Sequence, residues 1–329
     1  MECVHDLYMF YNAIFILLDI VVWVCIQVRQ HSIPRFQTGY LNAAFFVGRL
    51  LKLPDELING GVIMAFRKPD EIAELAVEAG VKKVHSPLSA LVVLGFLGGA
   101  FIALGYLLDI RVIGDLPKEW GSLSSLIGAA VFPVGLVLVV LAGAELITGN
   151  MMSVSMALFS RRISAGSLVK NWIIVTLMNL VGALFVAYFF GHIVGLTETG
   201  PYLEKTIAVA QGKLDMPFGK VIVSAIGCNW LVCLAVWLSF GAEDGAGKIA
   251  GIWFPIMAFV AIGFQHVVAN MFIIPAAIFA GSFSWGDLIL NLIPAFIGNV
   301  IGGAVFVGLI YFIAYSKKNQ NKQGMKRVS

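Results

Sequence analysis

Residues 254–271 read FPIMAFVAIGFQHVVANM, and residues 132–151, about 120 positions earlier, read FPVGLVLVVLAGAELITGNM. Both open on Phe-Pro, run apolar for more than two turns, and then meet a short polar cluster that closes on Asn-Met. A second pair stands in the same relation: NLVGALFV (179–186) and NVIGGAVFV (299–307). Two matched pairs at one offset mark an internal repeat.

The rest of the chain says what kind of repeat this is. Of 329 residues, 59% are hydrophobic and only 12% charged, and the mean hydropathy of +0.90 excludes a water-soluble domain with a charged surface. A spanning helix needs about 20 mostly apolar residues. After residue 85 six stretches qualify: 87–110, 123–145, 170–192, 217–241, 249–264 continuing to 281, and 285–316. Each copy therefore takes three spans. Three is odd, so the second copy enters the bilayer from the opposite side, and in such inverted repeats the site lies near the midplane where the copies meet.

Charge gives the orientation. Segments 64–86, 160–170, 242–248 and 317–329 hold thirteen Lys or Arg, against five (Arg111, Lys118, Lys205, Lys213 and Lys220) in or beside the other two loops. The positive-inside rule then puts both ends of the six-helix unit in the cytoplasm. Segment 64–86, with apolar residues at 72, 75, 76, 79 and 81, predicts an amphipathic helix on that inner face. Residues 317–329 form a basic tail. The net charge of +3 reflects this topology, so the partners expected are the lipid bilayer and small solutes, not nucleic acid. The four cysteines, Cys3, Cys25, Cys228 and Cys233, are too few and too embedded in apolar runs for a disulfide framework or a metal knuckle. No metal or cofactor is expected.

The first 63 residues stand apart. YMFYNAIFILLDIVVWVCIQV (8–28) is long enough to be an extra span. The stretch NGGVIM ending at Met64 also reads as a translated ribosome-binding site, which would make Met64 the true start and residues 1–63 a mis-assigned extension.

The polar clusters within the spans are Glu145, Thr148, Gly149 and Asn150 in one copy and Gln265, His266 and Asn270 in the other. Both read as helix breaks. Irregular backbone at membrane depth survives only where it is buried in protein or lines a watery path, so two breaks in equivalent positions point to a pore. A lone ionisable residue such as His266 within a span is a functional candidate by default.

These residues resemble a known family, the formate/nitrite transporters, over about residues 66–316. The specific matches are GAELITGN (143–150), KNW (170–172), CNWLVCLAVW (228–237) and GFQHVVANMFIIP (263–275). The resemblance implies an all-α integral membrane fold: six transmembrane helices as a three-plus-three inverted repeat, aquaporin-like, with broken second and fifth helices. It also implies a homopentamer with one pore per protomer, in the plasma membrane.

Carried over by position, the resemblance makes His266 the central pore histidine and Thr148 its hydrogen-bonding neighbour, with Asn229 and Asn270 as polar pore-lining groups. Phe132, Ile147 and Val232 would form the outer constriction, and Leu136 and Phe259 the inner one. Lys213 would draw anions to the outer mouth. Ile147 stands where a Phe is common, and Gln265 where a Glu is frequent.

The function expected is transport of a small weak-acid anion, formate or nitrite, channel-like or coupled to protons. A bare charge is heavily penalised in an apolar constriction, whereas the neutral acid passes. A histidine suits the supply or stabilisation of that proton, because its protonation responds to burial and to hydrogen bonds. Hydrosulfide, acetate and lactate demand nearly the same chemistry. An intramembrane enzyme is a remote rival: the sequence holds no HExxH, no GxSxG around a plausible serine, and no second intramembrane histidine beside His266.

Overall fold

The computed structural model describes residues 66–316. The 1–63 extension, Cys3, Cys25 and the 317–329 tail lie outside the described residues. Helix α1 is Pro69–His85 and α2 is Leu88–Ile113. Ser122–Gly143 forms α3, Ile147–Phe159 α4 and Ala165–Ile193 α5. The second half follows as α6 Pro201–Leu214, α7 Phe218–Gly241, α8 Gly245–Ile262, α9 Val267–Phe279 and α10 Trp285–Tyr315. Six of these, α2, α3, α5, α7, α8 and α10, are long and apolar enough to cross a membrane. The fold is all-α among the described residues, and after short breaks α3 and α8 are followed by the 13-residue apolar helices α4 and α9.

The breaks have a local cause. Gly143 (φ 91°) ends α3 and Gly263 (φ 85°) ends α8, both left-handed, a conformation that only a residue without Cβ adopts cheaply at a helix C-terminus. The chain then runs extended through Leu146 (φ −116°, ψ 123°) or His266 (φ −109°, ψ 118°) before turning helical again. This corrects the reading of Gly149 and Asn150 as break residues, since both lie in the opening turns of α4. The glycine that the break requires is Gly143.

Extended backbone inside a span needs hydrogen-bond partners, and one asparagine per half supplies them. Asn179 Oδ1 accepts the N–H of Ile147 (2.9 Å), while its Nδ2 donates to Gly95 O (2.7 Å) and Glu145 O (2.8 Å). Asn299, 120 residues on, does the same for Val267 N–H (2.9 Å), Ala225 O (2.8 Å) and Gln265 O (3.1 Å).

Packing recurs as well. Helix α2 lies along α5 and α7 along α10, with glycine at each crossing. A Cβ on Gly182 would stand 1.9 Å from Phe96 O and 2.8 Å from Ala100 N; one on Gly302 would stand 2.4 Å from Ile226 O and 3.0 Å from Trp230 N. Small residues let helix backbones approach where lipid offers no hydrophobic drive.

One boundary and one buried face differ from the sequence expectation. Helix α5 begins at Ala165, not 170, because Ser164 caps it by accepting the N–H of Ser167; Ser284 caps α10 in the same way through Asp287. Helix α1 turns a different face inward: Ile72, Ala73, Ala76, Val77 and Gly80 are buried. That face packs on Met152, Met156, Cys233, Trp237 and Val307, so protein covers it. Gly80 permits the contact, since a Cβ there would come within 2.0 Å of Ser153 O.

Candidate functional site

The two breaks meet through one side-chain contact. His266 is the N-cap of α9, and Thr148 lies in the first turn of α4. Their Nε2 and Oγ1 atoms are 3.1 Å apart, and both residues are buried, at 2% and 0% exposure. The tautomer follows from the other ring nitrogen. Nδ1 accepts the backbone N–H of Ala269 at 3.1 Å, and a backbone amide can only donate. The ring proton is therefore on Nε2, donated to Thr148 Oγ1, which leaves the threonine hydroxyl hydrogen free for a third group.

Around this pair the walls are apolar. Ile102, Phe132, Leu136, Leu146, Val232, Ile256 and Phe259 enclose one small space with His266. The phenyl rings of Phe132 and Phe259 meet edge-to-face at 5.6 Å, and Phe259 also lies 5.6 Å from the imidazole. Four of the residues expected at the two constrictions, Phe132, Leu136, Val232 and Phe259, thus line one small space, where the two aromatic rings pack on each other. Ile147 is fully buried and is not part of that lining. Leu146 occupies its place, and it stands 120 residues before His266 at the equivalent N-cap.

Asn229 and Asn270 serve the backbone and the polar network instead of this space. Asn229 Nδ2 donates to Asn299 O (2.6 Å) and Thr148 O (3.3 Å). Asn270 Nδ2 donates to Gln265 Oε1 (2.7 Å) and Asn291 Oδ1 (2.7 Å), and Asn291 in turn donates to Lys213 O (3.0 Å). The first half repeats the pattern. Asn150 Nδ2 donates to Glu145 Oε2 (2.7 Å) and Asn171 Oδ1 (3.0 Å), and Asn171 donates to Lys83 O (3.4 Å).

Charge breaks the symmetry. Lys83 Nζ pairs with Glu145 Oε1 at 2.9 Å, so the first cluster is neutral. Gln265 offers no such partner, and Lys213 Nζ instead donates to Gly263 O (3.2 Å) and Phe264 O (2.8 Å). Burial lowers the Lys213 pKa to about 8, so most of the positive charge persists at neutral pH, at the end of α6 beside the second break.

Sequence reasoning missed Ile102, Leu146 and Ile256 in the lining, together with Asn171, Asn179, Asn291 and Asn299 in the supports. The asparagines carried a signal: polar residues within spans, paired at an offset of 120. The apolar lining carried none, since its residue types match any buried wall.

Comparison with known proteins agrees with this architecture. The family profile described as formate/nitrite transporter matches residues 70–313. An uncharacterised transporter, YrhG, of Bacillus subtilis strain 168 is 85% identical over 266 residues, covering 81% of this chain and 100% of its own. The formate channel BtFdhC of Bacillus thuringiensis is 64% identical, covering 78% and 99%. The formate channel FocA of Escherichia coli K12 is 33% identical, covering 77% and 96%. Among solved structures, an FNT family ion channel superposes with a TM-score of 0.66 at 30% identity, covering 75% of this chain and 98% of that one. A pentameric formate channel with formate bound gives 0.61 at 30% identity, covering 69% and 97%. The protein is a multi-pass membrane protein of a transporter and channel family, and its chain belongs to the formate/nitrite transporters.

Proposed function

We propose that the protein carries formate across the plasma membrane, through a pore in each protomer of a homopentamer, with α1 on the cytoplasmic side and α6 outside. Nitrite shares the charge and size of formate and is the second substrate on this reading. The observation that carries it is the His266–Thr148 contact, which sets a hydrogen-bonded imidazole in the otherwise apolar lining of the central space.

The chemistry follows from the lining. A bare carboxylate cannot be desolvated cheaply among Phe132, Leu136, Val232 and Phe259, so the anion crosses with a proton, as the neutral acid. Lys213 gathers the anion at the mouth by its unpaired charge. The neutral, Nε2-protonated imidazole and the Thr148 hydroxyl then replace lost water with hydrogen bonds. A second proton on His266 Nδ1 would displace the Ala269 N–H, so on this reading the ring stabilises the passing acid, and the proton enters with the substrate from the outside water.

Uptake of labelled formate into proteoliposomes tests this. Wild type is expected to show saturable uptake that quickens as outside pH falls. Thr148→Val and His266→Ala each remove a hydrogen bond to the substrate and are expected to slow uptake about tenfold, the effect of roughly 1.4 kcal/mol. Both variants taking up formate at the wild-type rate, at equal membrane density, would end the proposal. Lys213→Gln is expected to slow uptake at low ionic strength and to approach wild type in high salt, where surface charge is screened.

A further inference from the structure

Asp109 lies in α2 with 4% exposure, and its Oδ1 is buried without a hydrogen-bond partner. Buried carboxylates are ordinarily paired or hydrogen-bonded, because an ionised oxygen without a donor is strongly disfavoured. Asp109 makes no ion pair among the described residues. Its surroundings show what it adjoins. Ile102, Tyr106 and Asp109 follow one another at four- and three-residue steps, so they share a face of α2. Ile102 lines the space that holds His266, and the Tyr106 ring meets that of Phe132 edge-on at 5.4 Å.

On the facing helix the same order holds. A Cβ on Gly128 would come 2.1 Å from Asp109 Oδ1, and Gly128 is one turn before Phe132. The carboxyl group thus sits about one helical turn beyond the aromatic constriction on both helices, and roughly 10 Å along α2 from the central space.

The charged groups around it are few. Lys205 and Lys213, both on α6, act on Asp109 electrostatically. Helix α6 also carries Tyr202 and Glu204; on α2 itself, Tyr106 adjoins the carboxyl, and Arg111 is committed to the Tyr202 ring (3.4 Å) and Leu196 O. Helices α3 and α9 carry no titratable side chain. His266 precedes α9. On α5, Lys170 is near the N-terminus, while the Tyr188 ring lies tilted against that of His192 and His192 pairs with Glu198.

We propose that Asp109 controls, by its own protonation, the charge that an anion meets at the α6 end of the pore. With the proton on, Lys205 and Lys213 act without opposition from Asp109 and a small monovalent anion is drawn in. With the proton off, the carboxylate offsets one of the two cations and repels the anion one turn short of Phe132. The inference rests on the pore reading above, and it assigns part of the pH dependence to a carboxyl group outside the central space.

The test is initial formate uptake by the full chain in proteoliposomes at a constant formate concentration, over outside pH 5 to 8, with wild type beside Asp109→Asn. Asn has the same shape and no charge at any pH. The variant is expected to match wild type at pH 5 and to exceed it about tenfold at pH 8, the effect of one unit charge at roughly 10 Å in a protein-like dielectric. An unchanged ratio of uptake at pH 5 to uptake at pH 8 would overturn the inference. If Asp109→Asn is not recovered from membranes, Lys205→Gln carries the test: a larger fractional loss at pH 5 than at pH 8 supports the role of Asp109, and equal losses refute it. A wild type that takes up no formate at any pH removes the pore reading itself, whereas a wild type that transports beside an Asp109→Asn variant with the same pH profile removes only the role of Asp109.

Discussion

Asn299→Leu is expected to yield a chain that inserts poorly and melts far below wild type in detergent. The substitution keeps side-chain volume but strips partners from Val267 N–H, Ala225 O and Gln265 O. Buried groups left unpaired are destabilised by about 1–3 kcal/mol each, and two of these three, the N–H of the first residue of α9 and the carbonyl of Gln265 just before it, have no intrahelical partner to fall back on. A loss of about 3 kcal/mol or more is therefore expected. Asn299→Asp separates the contributions, because a carboxylate still accepts from Val267 N–H but cannot donate to either carbonyl. Its melting temperature should fall between the other two. A leucine variant as stable as wild type would mean that this amide does not hold the break open.

Gly182→Val is expected to separate α2 from α5. The added Cβ would begin 1.9 Å from Phe96 O, a backbone atom, so no rotamer change relieves the clash and the helices must move apart along a long interface. Overpacking of this kind destabilises by about 3 kcal/mol at the upper end of its usual range. Loss of the folded fraction in size-exclusion chromatography, with Gly182→Ala milder than Val, is the result to look for. Normal elution of the valine variant would show that the crossing is looser than its glycine implies.

How much of this was legible in the sequence varies by residue. The six spans could be read because a run of about 20 apolar residues has few other uses. The breaks could be read because Glu145 and Gln265 stand inside such runs, and the recurrence at 120 residues linked them. What the sequence withheld was direction. The family resemblance made Asn229 and Asn270 pore residues, but their amides turn toward the carbonyl oxygens of Thr148 and Asn299 and toward Gln265 and Asn291, and only the packed neighbours decide that. The inward face of α1 was misread for a similar reason: Gly80 contributes no hydrophobicity, yet its missing side chain sets which face can approach α4.

The N-caps of α4 and α9 are equivalent positions, but one is Leu146 and the other His266. A repeat with histidine at both would have offered a permeating acid two resting places in series. Here duplication has left one. On the proposed function the pathway therefore holds a single passenger at its centre. Flux should follow a simple hyperbola in substrate concentration with a Hill coefficient of about 1, and mixtures of two permeant acids should show plain competition without the mutual acceleration of multi-occupancy pores. Leu146→His would restore the missing station and, with it, the opportunity for one molecule to push the next.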